Sequence, residues 1–302
     1  MSGNNGRWLC AAVLAVTAAM AGTSGAQADS TPQGKELVIL GDSFTANGWD
    51  PLSQDTKKCQ HGDTAWPAQL QAQLGLQGDD QVWNQSCPGA SIDTGNGYIL
   101  KVQASNADKA GAFGPKTKLV TLQFGLNDVW GDSSKSPWDS MQNCFYDPAG
   151  GCGPDAVADG RMADPKNVTG PEYAARIAKI VAYVRYYAPN ARIVIVGYPE
   201  LFSPGQDAIC FDIAGVEIGQ PRGRTVVDYL DRFDLAQREA AALLHIEYLD
   251  SRSLTRGHGL CTPDQWVNGV FDPKVNVAGL PFHPAPQGDA VIANALHERY
   301  VR

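Results

Sequence analysis

The stretch Leu37-Val38-Ile39-Leu40-Gly41-Asp42-Ser43-Phe44 carries the reading of the fold. Four consecutive apolar residues that end at a Gly-Asp pair are too short for a helix and do not alternate. They predict a strand buried on both faces, as in a parallel sheet covered by helices on either side. Residues 119–124, 193–196 and 246–249 repeat the pattern, and residues 82–84 repeat it weakly. Between these runs the apolar spacing changes to that of helices. Tyr173, Ile177, Ile180, Val181 and Val184 lie on one stripe that Pro189-Asn190 ends, and Val226, Leu230 and Phe233 begin another that Ala240 and Leu244 continue. A last helix is expected over 287–300, with Val291, Ala295 and Leu296 facing inward. Strands alternating with helices predict an α/β protein, a three-layer α/β/α sandwich on a parallel sheet of about five strands.

The first residues are set apart from this plan. Arg7 precedes an apolar run from Trp8 to Ala21, and Ala26-Gln27-Ala28 has the form of an A-x-A cleavage site. The run is shorter than the roughly 20 residues that a bilayer demands, so residues 1–28 are expected to be a signal peptide cleaved near Ala28. Residues 29–302 are then one exported domain, since no linker-like stretch or repeat divides them. A net charge of −8 argues against nucleic acid as a partner, because phosphates require a basic face. No later stretch is apolar enough to insert in a membrane.

Of seven cysteines, Cys10 falls in the leader, leaving Cys59, Cys87, Cys144, Cys152, Cys210 and Cys261. An even number in an oxidising compartment favours three disulfides over a metal site, although about 15 pairings are open to six cysteines. Cys144 and Cys152 are the easiest to join locally. Neither a C-x-x-C nor an H-x-x-x-H pair is present, and His258 beside Cys261 lacks a second ligand pair, so no metal and no organic cofactor are expected.

Three irregular segments, 129–170, 198–221 and 251–286, follow strand ends or precede the last helix. In an open parallel sheet that is where ligands bind. Ser43 stands at the end of the first strand, with Gly41 permitting a tight turn. Ser86-Cys87-Pro88-Gly89-Ala90-Ser91 follows the weak strand, Gly125-Leu126-Asn127-Asp128 follows the run at 119–124, and His283-Pro284 precedes the last helix. Taken alone, Ser43 could serve as a helix cap and Asn127 as a turn residue.

Together and in this order, the four blocks resemble those of the SGNH/GDSL hydrolase superfamily, from about Leu37 to the C terminus. The leader and the cysteines further resemble its secreted, disulfide-containing bacterial esterase and lipase branch. The resemblance implies hydrolysis of carboxylic, fatty-acyl esters through an acyl-enzyme on Ser43, with His283 as general base. It assigns the oxyanion hole to the Ser43 and Gly89 backbone N–H groups and the Asn127 amide, donors whose individual loss typically costs about 100- to 1,000-fold in rate. It also implies the sequential pairs Cys59–Cys87, Cys144–Cys152 and Cys210–Cys261, and a monomer acting on a small-molecule or lipid ester. Phospholipid acyl hydrolysis, polysaccharide deacetylation and acyl transfer would use the same apparatus.

The chain departs from the family beside the histidine. The residue three positions earlier, usually aspartate, is Leu280. The expectation is that the Leu280 carbonyl orients the ring, with Asp272 or Asp289 as the alternative. Phe44, Trp130, Phe145 and Phe282 are candidates to line an acyl site.

Overall fold

The computed structural model describes residues 32–49, 59–95 and 98–301. The expected signal peptide, 1–28, lies outside the described residues. Along the chain run β1 (Leu37–Gly41), α1 (Ser43–Ala46), α2 (Trp66–Gln73), α3 (Gly78–Gln81), β2 (Val82–Asn84), α4 (Leu100–Lys109), β3 (Leu119–Gln123) and α5 (Pro137–Phe145). A 3-10 turn at Pro165–Asn167 leads into α6 (Gly170–Tyr187), β4 (Arg192–Val196), β5 (Ile209–Ile213), β6 (Val216–Gln220), α7 (Arg224–Leu244), β7 (Glu247–Leu249), α8 (Ser251–Leu254) and α9 (Pro286–Val301).

Five of the strands form one parallel sheet in the order β2-β1-β3-β4-β7. The continuous apolar runs are explained by the sheet's two covered faces. Val38, Leu40, Val120, Leu122, Ile193 and Ile195 pack with Ala104 and Ala107 of α4, Tyr173, Ile177 and Val181 of α6, and Val226 and Phe233 of α7. Their neighbours in the same strands, Leu37, Ile39, Leu119, Val194 and Val196, join Leu249 and face the other way. They pack on Trp66 and Leu70 of α2 and Ile292, Ala293 and Leu296 of α9. Each such side chain removed from water contributes about 1.5–3 kcal/mol, which is why the strands can dispense with alternation. The result is the α/β/α sandwich.

Several details differ from the expectation. In α9 the inward residues are Ile292, Ala293 and Leu296, while Val291 and Ala295 are only half-buried. The last central strand begins at Glu247, because His245 takes a left-handed conformation (φ 51°) that closes α7. The segment 198–221 holds an antiparallel hairpin, β5–β6, and 129–170 holds α5. Three disulfides join Cys59 to Cys87, Cys144 to Cys152 within the second of these segments, and Cys210 of the hairpin to Cys261. No helix among the described residues is long and apolar enough to cross a membrane.

Candidate active site

β1 delivers its last residue, Gly41, to the carboxyl edge of the sheet, and the chain turns at once into α1. Asp42 caps that short helix by accepting the Phe44 N–H on its carboxylate (2.9 Å). Ser43 is therefore the first helical residue, lifted above the sheet. Gly41 is required here by close approach rather than by a special turn, since a Cβ would lie 2.1 Å from the Thr45 Oγ1. Where β2 has ended, Gln103 acts as its substitute. Its amide accepts the Gly41 N–H and donates to the Gly41 carbonyl, both at 2.9 Å.

His283 reaches the serine from 240 residues away, with Nε2 2.8 Å from Ser43 Oγ. Its other nitrogen, Nδ1, lies 2.8 Å from the Pro281 carbonyl. That corrects the expectation for Leu280, and the reason is local. The Leu280 carbonyl already accepts the His283 backbone N–H (3.2 Å) across a four-residue turn, and the Asn268 side-chain amide as well (3.3 Å). Phe282, in left-handed backbone at φ 64°, swings the next carbonyl back, the one at Pro281, beneath the ring. Neither alternative carboxylate reaches the histidine. Asp272 bonds Gln265 and the Lys274 N–H, and Asp289 bonds Asn47.

Burial dominates the electrostatics. It pushes the His283 imidazole down to about 4, against a smaller opposing effect of the Pro281 hydrogen bond. It pushes the Asp42 carboxyl up to about 7, opposed by the hydrogen bond that Tyr198 donates to it at 2.5 Å. The ring is thus neutral at neutral pH, with Nδ1–H donated to Pro281 and Nε2 free to accept from Ser43.

Gly89 and Asn127 line the same cleft as Ser43 and His283. One hydrogen of the Asn127 amide is given to the Ala90 carbonyl (2.9 Å), which fixes the amide plane. Next to it, buried Asp128 accepts the Ile92 and Asp93 N–H groups and the Thr94 hydroxyl, and pairs with Arg176. Asp128 so holds the glycine loop and the asparagine loop in one register. The chain shows its place in sequence only as the neighbour of Asn127, and Arg176, Gln103 and Tyr198 give no sequence signal at all.

The cleft has a volume of about 640 Å³, with Pro88, Trp138, Val270, Pro281 and Phe282 as apolar lining and Ser136, Asp139 and Gln142 as polar lining. Of the aromatics expected there, Phe282 lines it and Phe44 lies under the imidazole, 4.2 Å between ring centres. Trp130 is instead stacked on Tyr173 in the core and donates to the Gly125 carbonyl, and Phe145 is buried against Phe211. Trp138 and Tyr146 take their places at the cleft. At the other locus considered from sequence, the His258 ring stacks on Trp266, and Cys261 is bonded to Cys210.

Comparison with known proteins places the chain among the carboxylic ester hydrolases. It belongs to the GDSL-like lipase/acylhydrolase family, whose model matches residues 39–291. Lipase 1 of Streptomyces coelicolor is 26% identical over 284 residues, which covers 94% of this chain and 93% of that protein. The crystal structure of the extracellular lipase of Streptomyces rimosus superposes with a TM-score of 0.59 at 20% identity, covering 86% of this chain and 99% of the other. Phospholipase A1 of Streptomyces albidoflavus NA297 gives 0.58 at 21% identity, over 86% and 98%. At these identities the two structural likenesses speak for the fold.

Proposed function

We propose that this chain is an exported serine esterase of the lipase type, working through a Ser43–His283 dyad without a carboxylate. The observation that carries the reading is the 2.8 Å contact between His283 Nε2 and Ser43 Oγ within a partly apolar cleft. As an ester enters, His283 takes the hydroxyl proton while Ser43 Oγ attacks the carbonyl. The negative oxygen of the tetrahedral intermediate turns toward the Ser43 and Gly89 backbone N–H groups and the free hydrogen of the Asn127 amide. His283 then gives its proton to the leaving alcohol, and the acyl group stays on Ser43. A water deprotonated by the same ring completes the cycle and releases the acid.

The Pro281 carbonyl stands where a triad has its carboxylate. It sets the tautomer and ring plane but supplies no counter-charge to imidazolium, so the transition state relies more heavily on the oxyanion donors. The lipases among the relatives and the apolar lining favour fatty-acyl esters. The three disulfides and the leader-like N terminus favour action outside the cell.

The test is hydrolysis of p-nitrophenyl esters from acetate to palmitate by the wild type and by Ser43→Ala. The expected result is a preference for medium or long acyl chains in the wild type and loss of at least about 1,000-fold in the folded variant. Full turnover by Ser43→Ala would remove Ser43 from the mechanism, and an acetate-only enzyme would point to deacetylation instead.

A further inference from the structure

The histidine's partner contact leaves one geometric requirement unmet. The Pro281 carbonyl belongs to the same loop as His283, two residues away. It orients the ring relative to that loop, but it cannot orient the loop relative to Ser43. Something else must hold the two halves of the dyad in register, since a misplacement of about 1 Å can cost on the order of 100-fold in rate.

We propose that Asn47 is the positioning residue that sets the Ser43–His283 geometry, with Asp289 holding its amide in place. The proposal rests on the dyad reading above and names how that dyad is kept aligned. Asn47 touches both halves. Its backbone N–H closes α1 by donating to the Ser43 carbonyl at 2.7 Å. Its side-chain amide donates to the carbonyl of Pro284, the residue after His283, at 2.8 Å. The same nitrogen lies 2.6 Å from Asp289 Oδ2, in the first turn of α9. The two amide hydrogens are therefore committed to the histidine loop and to the helix that the loop enters.

The residue type fits this use. Asn47 has φ 36° and ψ 38°, the left-handed region that asparagine visits more readily than other non-glycine residues. In that conformation its N–H caps α1 while its side chain reaches the Pro284 carbonyl and Asp289. From the far side, Asn268 braces the same loop by donating to the Pro284 carbonyl (3.1 Å) and to that of Leu280 (3.3 Å). The Pro284 carbonyl is thus clamped between two amides, one of which is coupled directly to the nucleophile's helix. Asp289, considered from sequence as a partner of the histidine, acts on it through Asn47.

The test is Asn47→Gly, which tolerates the left-handed backbone, keeps the capping N–H and deletes the side chain that carries the amide. Active sites are titrated with a p-nitrophenyl alkylphosphonate, so that kcat is expressed per reactive serine. The proposal predicts kcat per site down by about 10- to 100-fold, with KM for a short soluble ester changed less than about threefold. A purely structural role would lower the thermal midpoint or the titratable fraction and leave kcat per site intact, and that result would overturn the proposal. If Asn47→Gly does not fold, Asp289→Ala carries the test. A kcat fall of about threefold or more per site supports the proposal, and an unchanged value overturns it. Ser43→Ala run beside them keeps the two questions apart, because activity surviving in that variant would defeat the dyad itself.

Discussion

At the scale of single residues, His283 is governed by what surrounds it rather than by a charged partner. Desolvation holds the imidazole at about 4, well below the roughly 6.5 of a free ring. In the proposed mechanism the ring must be neutral to accept the Ser43 proton, so a lowered pKa would widen the working range toward acid. We expect kcat/KM for a neutral soluble ester to stay level down to about pH 5 and to half-fall near pH 4. A half-fall between pH 6 and 7 would mean that the imidazole is solvated like a free one. Stability follows with a definite sign. As pH drops from about 6.5 to about 4 the unfolded chain takes up a proton that the folded chain refuses, so the folded state loses stability across that window and levels off below it. Little of this was legible in the sequence. The four chemistry-bearing residues stand out because each follows a strand or precedes the last helix. Which carbonyl serves the ring does not, because it depends on Phe282 adopting left-handed backbone and on the Leu280 carbonyl being taken up by the turn.

At the scale of elements, the junction after β3 leaves no room for a side chain. Gly125 has φ +127°, and a Cβ on it would lie 2.2 Å from the Phe233 ring of α7. Gly125→Ala is therefore expected to cost at least about 1–3 kcal/mol from backbone strain, with the ring clash in addition. Thermal or denaturant unfolding would register it, and a midpoint unchanged from wild type would show that the junction relaxes freely. The variant should also lose activity, because Asn127 is two residues on. The central strands were legible at this scale, since burial on both faces leaves an unbroken apolar run such as 37–40. The hairpin β5–β6 was not. Its turn is Ala214-Gly215, both at positive φ, and alanine replaces the asparagine or aspartate that usually announces such a turn. In α4 only Leu100 of the buried positions is large and apolar, while Gln103, Ala104 and Ala107 are small or polar, so the helix carries only a weak hydrophobic stripe.

At the scale of the whole molecule, residues far apart in sequence meet at one edge of the sheet. The turn from β1 into α1 supplies the serine, the loop after β2 the glycine, the loop after β3 the asparagine, and the approach to α9 the histidine. The order of the blocks could be read from the sequence because parallel α/β architecture sends every strand end to the same side. The ties that bring the edge together, such as Asn47 to Pro284 across 237 residues, have no local signature and appear only in three dimensions. One disulfide acts at this scale too, joining Cys210 of the hairpin to Cys261, 51 residues further along the chain. The central claim is that Ser43 is the nucleophile of an acyl-enzyme. Its most direct test is to inactivate the folded protein with a p-nitrophenyl alkylphosphonate and map the modified peptide by mass spectrometry. A single adduct on Ser43 is expected, formed in step with loss of esterase activity and absent from His283→Ala. An adduct on another residue, or full inactivation with Ser43 unmodified, would contradict it.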